Sequence, residues 1–148
     1  MKGELQLAKG LDVFTDGACA QFAASTGRGG WAAVLVFKGM VLRVTGAVPD
    51  TTSNRMEMTA VLEALDRINK EPHCVDEVVI YSGSMITVNV FSGTWKGKAN
   101  TDLIARFKVF QGSLADKGTT IRLQWLRGHS GHVYNQLADQ LAQGMLYG

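Results

Sequence analysis

Phe14-Thr15-Asp16-Gly17-Ala18-Cys19 decides how this chain is read. An apolar strand, residues 11–15, delivers a carboxylate at its end, and a glycine follows at once. A carboxylate so placed can ligate a metal ion, although Asp-Gly alone is more often a turn. Working outward, residues 31–37 (WAAVLVF) form an almost unbroken apolar run, as expected for a strand covered on both faces. Lys38-Gly39 reads as a tight turn, and residues 41–48 as the return strand of a hairpin. Three consecutive strands therefore open the fold. The intervening residues 21–30, rich in Ala, Ser, Thr and Gly, read as a loop, and residues 1–9 as a polar lead-in.

From Asn54 onward the apolar period changes. Met58, Val61, Leu62, Leu65 and Ile68 recur at helical spacing. Residues 78–81 make a short buried strand, and 84–90 begin a second helix. Residues 101–114 predict a third, with Thr101 as its N-cap and Leu103, Phe107, Phe110 and Leu114 on one face. Ile121, Leu123 and Trp125 alternate with polar neighbours as a last strand. Leu137, Ala138, Leu141, Ala142 and Met145 form the apolar face of a C-terminal helix. The order βββαβααβα predicts an α/β fold with a five-stranded mixed sheet flanked by helices.

At 148 residues the chain reads as one domain with a single core. With 46% hydrophobic and 19% charged residues its balance is that of a globular protein rather than a disordered one. No apolar run approaches a membrane span and no apolar block follows Met1, so a cytoplasmic protein with no membrane partner is expected. Cys19 and Cys74 lack metal-finger spacing and read as reduced thiols. A net charge of +2 permits an anionic partner without arguing for one.

The chemistry rests on carboxylates. Asp16 ends a strand, Glu57 lies near the start of a helix, and Asp139 sits on the flank of the last helix, about 140–200° from Leu137 and Leu141. Carboxylates gathered at one sheet edge repel each other unless cations neutralise them, and oxygen-only ligands suit Mg²⁺ or Mn²⁺. Each residue also has a plainer reading. Asn54 to Glu57 fits a capping box, and Asp139 alone is an ordinary solvated helix residue. His129 and His132 lack a third soft ligand that would make them a zinc pair.

The combination is more specific than its parts. FTDGAC (14–19), TTSNRMEM (51–58) and RGHSGH (127–132) followed by Asp139 together resemble the type 1 ribonuclease H family over about residues 11–145. That resemblance implies a ribonuclease H-like fold. It also implies endonucleolytic hydrolysis of the RNA strand of RNA–DNA hybrids with two Mg²⁺ ions, Mn²⁺ being an alternative. By the match, Asp16 bridges both metals, Asp139 binds the one on the nucleophile side and Glu57 the other. His129 moves protons or assists product release. Cys19 and Gly30 approach the RNA minor groove, where the 2′-hydroxyl separates RNA from DNA. Asn54 contacts the hybrid, Thr52 a DNA phosphate, and Ser84 the backbone. Trp95, with Lys96 and Lys98, meets the DNA strand, and a monomer is expected.

Three departures qualify the match. The segment after Trp95 is short and carries only Lys96 and Lys98, and the loop at 21–28 is longer than usual and differs from the family pattern. The third lies in Tyr81-Ser82-Gly83-Ser84, where the resemblance calls for an aspartate and this chain has Gly83. The expectation is severely impaired cleavage with hybrid binding retained. A non-catalytic hybrid-binding module is the alternative. A resolvase or integrase core of the same superfold is disfavoured by RGHSGH.

Overall fold

The computed structural model describes residues 10–20, 27–72, 75–127 and 132–147. Its elements run β1 Gly10–Cys19, β2 Gly27–Phe37, β3 Met40–Thr51, α1 Ser53–Asn69, β4 Glu77–Ser82, α2 Met85–Phe91, α3 Thr101–Asp116, β5 Thr120–Trp125 and α4 Val133–Tyr147. This is the predicted order. The strands form one five-stranded sheet in the order β3-β2-β1-β4-β5. β1, β2 and β3 pair antiparallel, while β4 and β5 extend the sheet parallel to β1.

Side-chain alternation along β1 distributes the core between two faces. Val13 joins Ala33, Leu35 and the buried stripe Met58, Val61, Leu62 and Leu65 of α1, closed by Phe91, Leu103, Phe107 and Leu114. Phe14 and Ala18 point to the other face, where Ala138 and Ala142 let α4 lie close to Val34 and Ala32. Asp16, two residues from each, belongs to the α4 face. Lys38 and Gly39 turn the β2–β3 hairpin with φ of 52° and 79°, the pair of left-handed residues that matches strand twist.

Several local expectations change. Asp16-Gly17 is neither a turn nor a strand end: β1 continues to Cys19, with Gly17 opposite Trp31 and Cys19 opposite Gly29. Residues 27–30, expected in a loop, belong to β2 for the same reason. α1 is capped by Thr52, whose hydroxyl accepts from the Arg55 N–H at 3.3 Å, so the capping box of Asn54 and Glu57 is absent. Glu57 therefore stands in the second turn, free of capping duty. α3 is preceded by Asn100 rather than capped by Thr101. Trp125 is 39% exposed rather than inward, because β5 is a sheet edge near its end.

Candidate active site

The parallel register sets the frame of the site. Thr15 pairs with Ser82 at the last step of the β1–β4 ladder, so Asp16, within β1, and Gly83, just past the end of β4, come next on adjacent chains. This is the carboxyl-terminal edge of the parallel strands, where such sheets present their ligands. Gly83 starts the bend into α2, and its carbonyl accepts from Trp125 Nε1 at 3.3 Å. The Leu126 N–H donates to the Ser82 carbonyl at 2.9 Å, tying the end of β5 to the same bend.

Glu57 reaches this edge through a gap in β1. Gly17 places no side chain on the α1 face, and a Cβ there would collide with the Met56 and Glu57 backbone and lie 2.8 Å from Met56 Cβ. The helix therefore seats directly on the strand, and the Gly17 N–H donates to Glu57 Oε1. Asp139, seven residues into α4, comes in from the opposite face to hydrogen-bond with Asp16.

The three acids are half-buried and close together. Burial, then the neighbouring Glu57 and Asp139 charges, push the Asp16 carboxyl up to about 9. Burial also raises Glu57, although hydrogen bonds from Asp16 and the Gly17 N–H oppose that shift. Asp16 accordingly holds its proton far above the usual carboxylate range. Among the described residues, no group of three His, Cys, Asp or Glu side chains is arranged to hold a metal ion. The donor set is hard, oxygen-only and short of positive charge, which fits divalent cations taking the place of that proton.

Gly83 has space around it. A Cβ there would meet only the Leu126 carbonyl, at an ordinary 3.6 Å, and its backbone lies outside the left-handed region. Among the described residues, the two serines flanking Gly83 are neutral and engaged locally. Ser82 Oγ accepts from the Ser84 N–H at 3.1 Å, and Ser84 Oγ caps α2 by accepting from the Thr87 N–H at 3.1 Å.

The residues that the resemblance names as substrate contacts differ in access. Cys19 is half-buried and donates its thiol to the Thr51 carbonyl at 3.4 Å. Thr52 is half-buried at the start of α1, and Asn54 beside it is exposed. Gly30 is buried: a Cβ would collide with the Ala142 carbonyl and lie 2.7 Å from Met145 Cβ, so it serves the seating of α4. Trp95 is 45% exposed between α2 and α3, flanked by exposed Lys96 and Lys98. His129 and Cys74 lie outside the described residues. His132 stacks on Phe14 at 4.6 Å and accepts from the Tyr134 N–H at 3.3 Å, a packing role instead of a metal pair.

Two features escaped the sequence reading. One is Gly17 as a contact point between strand and helix, where Asp-Gly suggested a turn. The other is Arg55, which pairs with Asp102 forty-seven residues away. Arg55 lies inside a quoted motif, but a partner at that separation leaves no local periodicity to find.

Comparison with known proteins agrees with this architecture. The RNase H family profile matches residues 8–146. Ribonuclease H of Oleidesulfovibrio alaskensis is 36% identical over 150 residues, covering 92% of this chain and 90% of its own length. Ribonuclease H of Herminiimonas arsenicoxydans is 36% identical over 140 residues, covering 89% and 91%. The N-terminal RNase H domain of a Mycobacterium tuberculosis protein, solved as a fusion with maltose binding protein, superposes with a TM-score of 0.79 at 22% identity, covering 94% of each chain. LC11-RNase H1, solved in complex with RNA/DNA hybrid, superposes with a TM-score of 0.79 at 19% identity, covering 93% and 96%. At such identities the structural likeness speaks for the fold. Among the described residues no helix is long and apolar enough to cross a membrane.

Proposed function

The chain belongs to the ribonuclease H family, and from that premise we propose that it binds RNA–DNA hybrids and hydrolyses their RNA strand, at a rate held far down by Gly83. The observation that carries this reading is the gathering of half-buried Asp16, Glu57 and Asp139 at the sheet edge beside Gly83. Buried carboxylates in contact are costly unless something positive joins them. In this reading two divalent cations, Mg²⁺ or Mn²⁺, bind here, and when bound they activate water and stabilise the leaving oxygen at the scissile phosphate.

The chain's own groups do the remaining work. Asp16, reached from both faces of the sheet, is the shared ligand, with Glu57 and Asp139 on either side of it. The Gly17 N–H fixes one oxygen of Glu57, so that carboxylate keeps its orientation as the proton leaves. His129 moves protons, a task suited to an imidazole near neutral pH.

Thr52 uses a lone pair to cap α1 and keeps its hydroxyl proton for a phosphate oxygen, as Ser84 does at α2. Exposed Asn54 and the Cys19 backbone face the hybrid, and Trp95 with Lys96 and Lys98 takes the DNA strand. Gly30 contributes by letting α4 close over β2, which brings Asp139 to Asp16. The LC11-RNase H1 complex with RNA/DNA hybrid supports this substrate class.

Gly83 leaves the Glu57 side of the site one carboxylate short. A loss of about 4 kcal/mol in transition-state stabilisation corresponds to about 10³-fold in rate. The test is cleavage of a labelled RNA–DNA hybrid in Mg²⁺ and in Mn²⁺ by this chain and by Gly83→Asp. Cleavage by the Asp form alone is the expected result. Comparable cleavage by the parent overturns the impairment. Hybrid binding without turnover by either form favours the alternative of a non-catalytic binding module.

A further inference from the structure

Arg55 joins two parts of the surface that the sequence keeps far apart. Its guanidinium makes a two-pronged pair with Asp102, Nη1 to Oδ1 at 3.0 Å and Nη2 to Oδ2 at 2.7 Å. Nη1 also donates to Asn100 Oδ1 at 3.2 Å. Asn100 is left-handed, with φ of 56°, and makes no side-chain cap to α3. Asparagine is a preferred cap, yet here its oxygen accepts from Arg55 instead. The residue thus closes the α2–α3 connection in a conformation uncommon for side chains with a Cβ.

That connection, residues 92–100, carries Trp95, Lys96 and Lys98. It is braced at two further points. The Trp95 N–H donates to the Asn89 carbonyl at 2.9 Å. Gly97 packs so closely that a Cβ would lie 2.9 Å from Val90 Cγ1 and collide with Ile104. The connection is a spur fixed to α2 and α3, and Arg55 fastens its base to α1, one residue from Asn54 and two from Glu57.

We propose that Arg55 is a positioning residue, which sets the distance between the amino end of α1 and the Trp95–Lys98 spur and so shapes the surface gripping the DNA strand. The proposal rests on the hybrid-binding reading above. The paired side chains are 36% and 62% exposed; ion pairs in such surroundings contribute little to stability. A planar fork nevertheless fixes angles that a single ammonium would leave loose. Arg55 also holds the Asp102 carboxyl down to about 2, so the clamp stays charged well into acid.

The experiment measures hybrid affinity in Ca²⁺ between about 50 and 200 mM KCl, with steady-state kinetics in a Gly83→Asp background. The parent chain is compared with Arg55→Met, Arg55→Lys, Asp102→Asn and the Arg55→Met/Asp102→Asn double variant. Arg55→Met and Asp102→Asn should each weaken binding about 5–10-fold, the double variant no further, because they break one clamp. Arg55→Lys should fall between. In the Gly83→Asp background KM should rise while kcat stays within about twofold, and the slope of log K against log salt should become shallower by about one.

Unchanged affinity in folded variants overturns the proposal, as does a fall in kcat at constant KM. Tighter binding by Asp102→Asn overturns it too, since a released Arg55 would then be meeting phosphate itself. If Arg55→Met does not fold, Arg55→Lys and Asp102→Asn carry the comparison. Failure of the parent chain to bind hybrid at all would sink the underlying reading first, and that measurement precedes the others.

Discussion

The Gly17 backbone N–H donates to Glu57 Oε1, and the missing Cβ of Gly17 is what allows α1 to lie close enough for that bond. One residue thereby does two things: it lets helix and strand touch, and it aims the carboxylate. Gly17→Ala must push α1 away from β1, because the added carbon meets backbone and not a flexible side-chain end. Overpacking of this kind typically costs about 1–3 kcal/mol. Chemical denaturation should register that loss, and in a Gly83→Asp background cleavage should fall with it. A variant as stable and active as its parent would show that α1 is not seated this tightly.

Gly83 invites a separation of space from charge. Gly83→Ala fits the same opening as Gly83→Asp, since its Cβ meets only the Leu126 carbonyl at 3.6 Å. The Ala form should be neutral or more stable by about 0.4–1 kcal/mol through reduced freedom of the unfolded chain. It should not restore cleavage. In metal-free buffer the Asp form should be less stable than the Ala form, since it adds a charge to an acidic edge, and Mg²⁺ should reverse that order. Equal cleavage by both would mean that the carboxylate is irrelevant.

The acidic set predicts an unusual pH profile. Asp16 titrates at about 9 in the folded chain and near 4 when unfolded. The folded state therefore binds more protons between those values. Its stability should be greatest below about pH 4 as far as Asp16 alone is concerned, and should decline as pH rises toward 9. Asp16→Asn removes this dependence, so the difference in Tm between variant and parent, without metal, should grow with pH. Divalent cation should raise the Tm of the parent more at pH 8 than at pH 5. A constant difference across that range would refute the raised Asp16 carboxyl.

Thr52 and Asn54 separate folding from recognition. Thr52→Ala removes the α1 cap and should cost about 1 kcal/mol. Exposed Asn54→Ala should leave stability nearly unchanged and lower hybrid affinity. Glu57→Gln should not behave as a lost cap. If instead Asn54→Ala destabilises as much as Thr52→Ala, the helix begins where the motif pattern first placed it.

The elements were legible because their signals are local. Helical spacing from Met58 to Ile68 and the apolar run at 31–37 both place side chains within a few residues of each other, and burial of those stripes follows. Boundaries were harder. Asp16-Gly17 has the composition of a turn, and only pairing with Ala32 and Trp31 keeps it in the strand. Thr52 and Asn54 are both good caps, and the choice depends on where β3 ends. Trp125 alternates correctly but stands at the end of the edge strand and is 39% exposed.

By itself the sequence determined the strand and helix order, the family, and the positions of Asp16, Glu57 and Asp139, because composition, period and motif spacing are properties of the chain. Tertiary structure alone decided that burial beside Glu57 and Asp139 raises the Asp16 carboxyl, that Gly17 is a contact instead of a turn, that the space at Gly83 is open, and that Arg55 meets Asn100 and Asp102. Each of these is a distance between residues far apart in the chain. Such distances exist only after the sheet has closed and its two faces have been covered, and no local pattern records them.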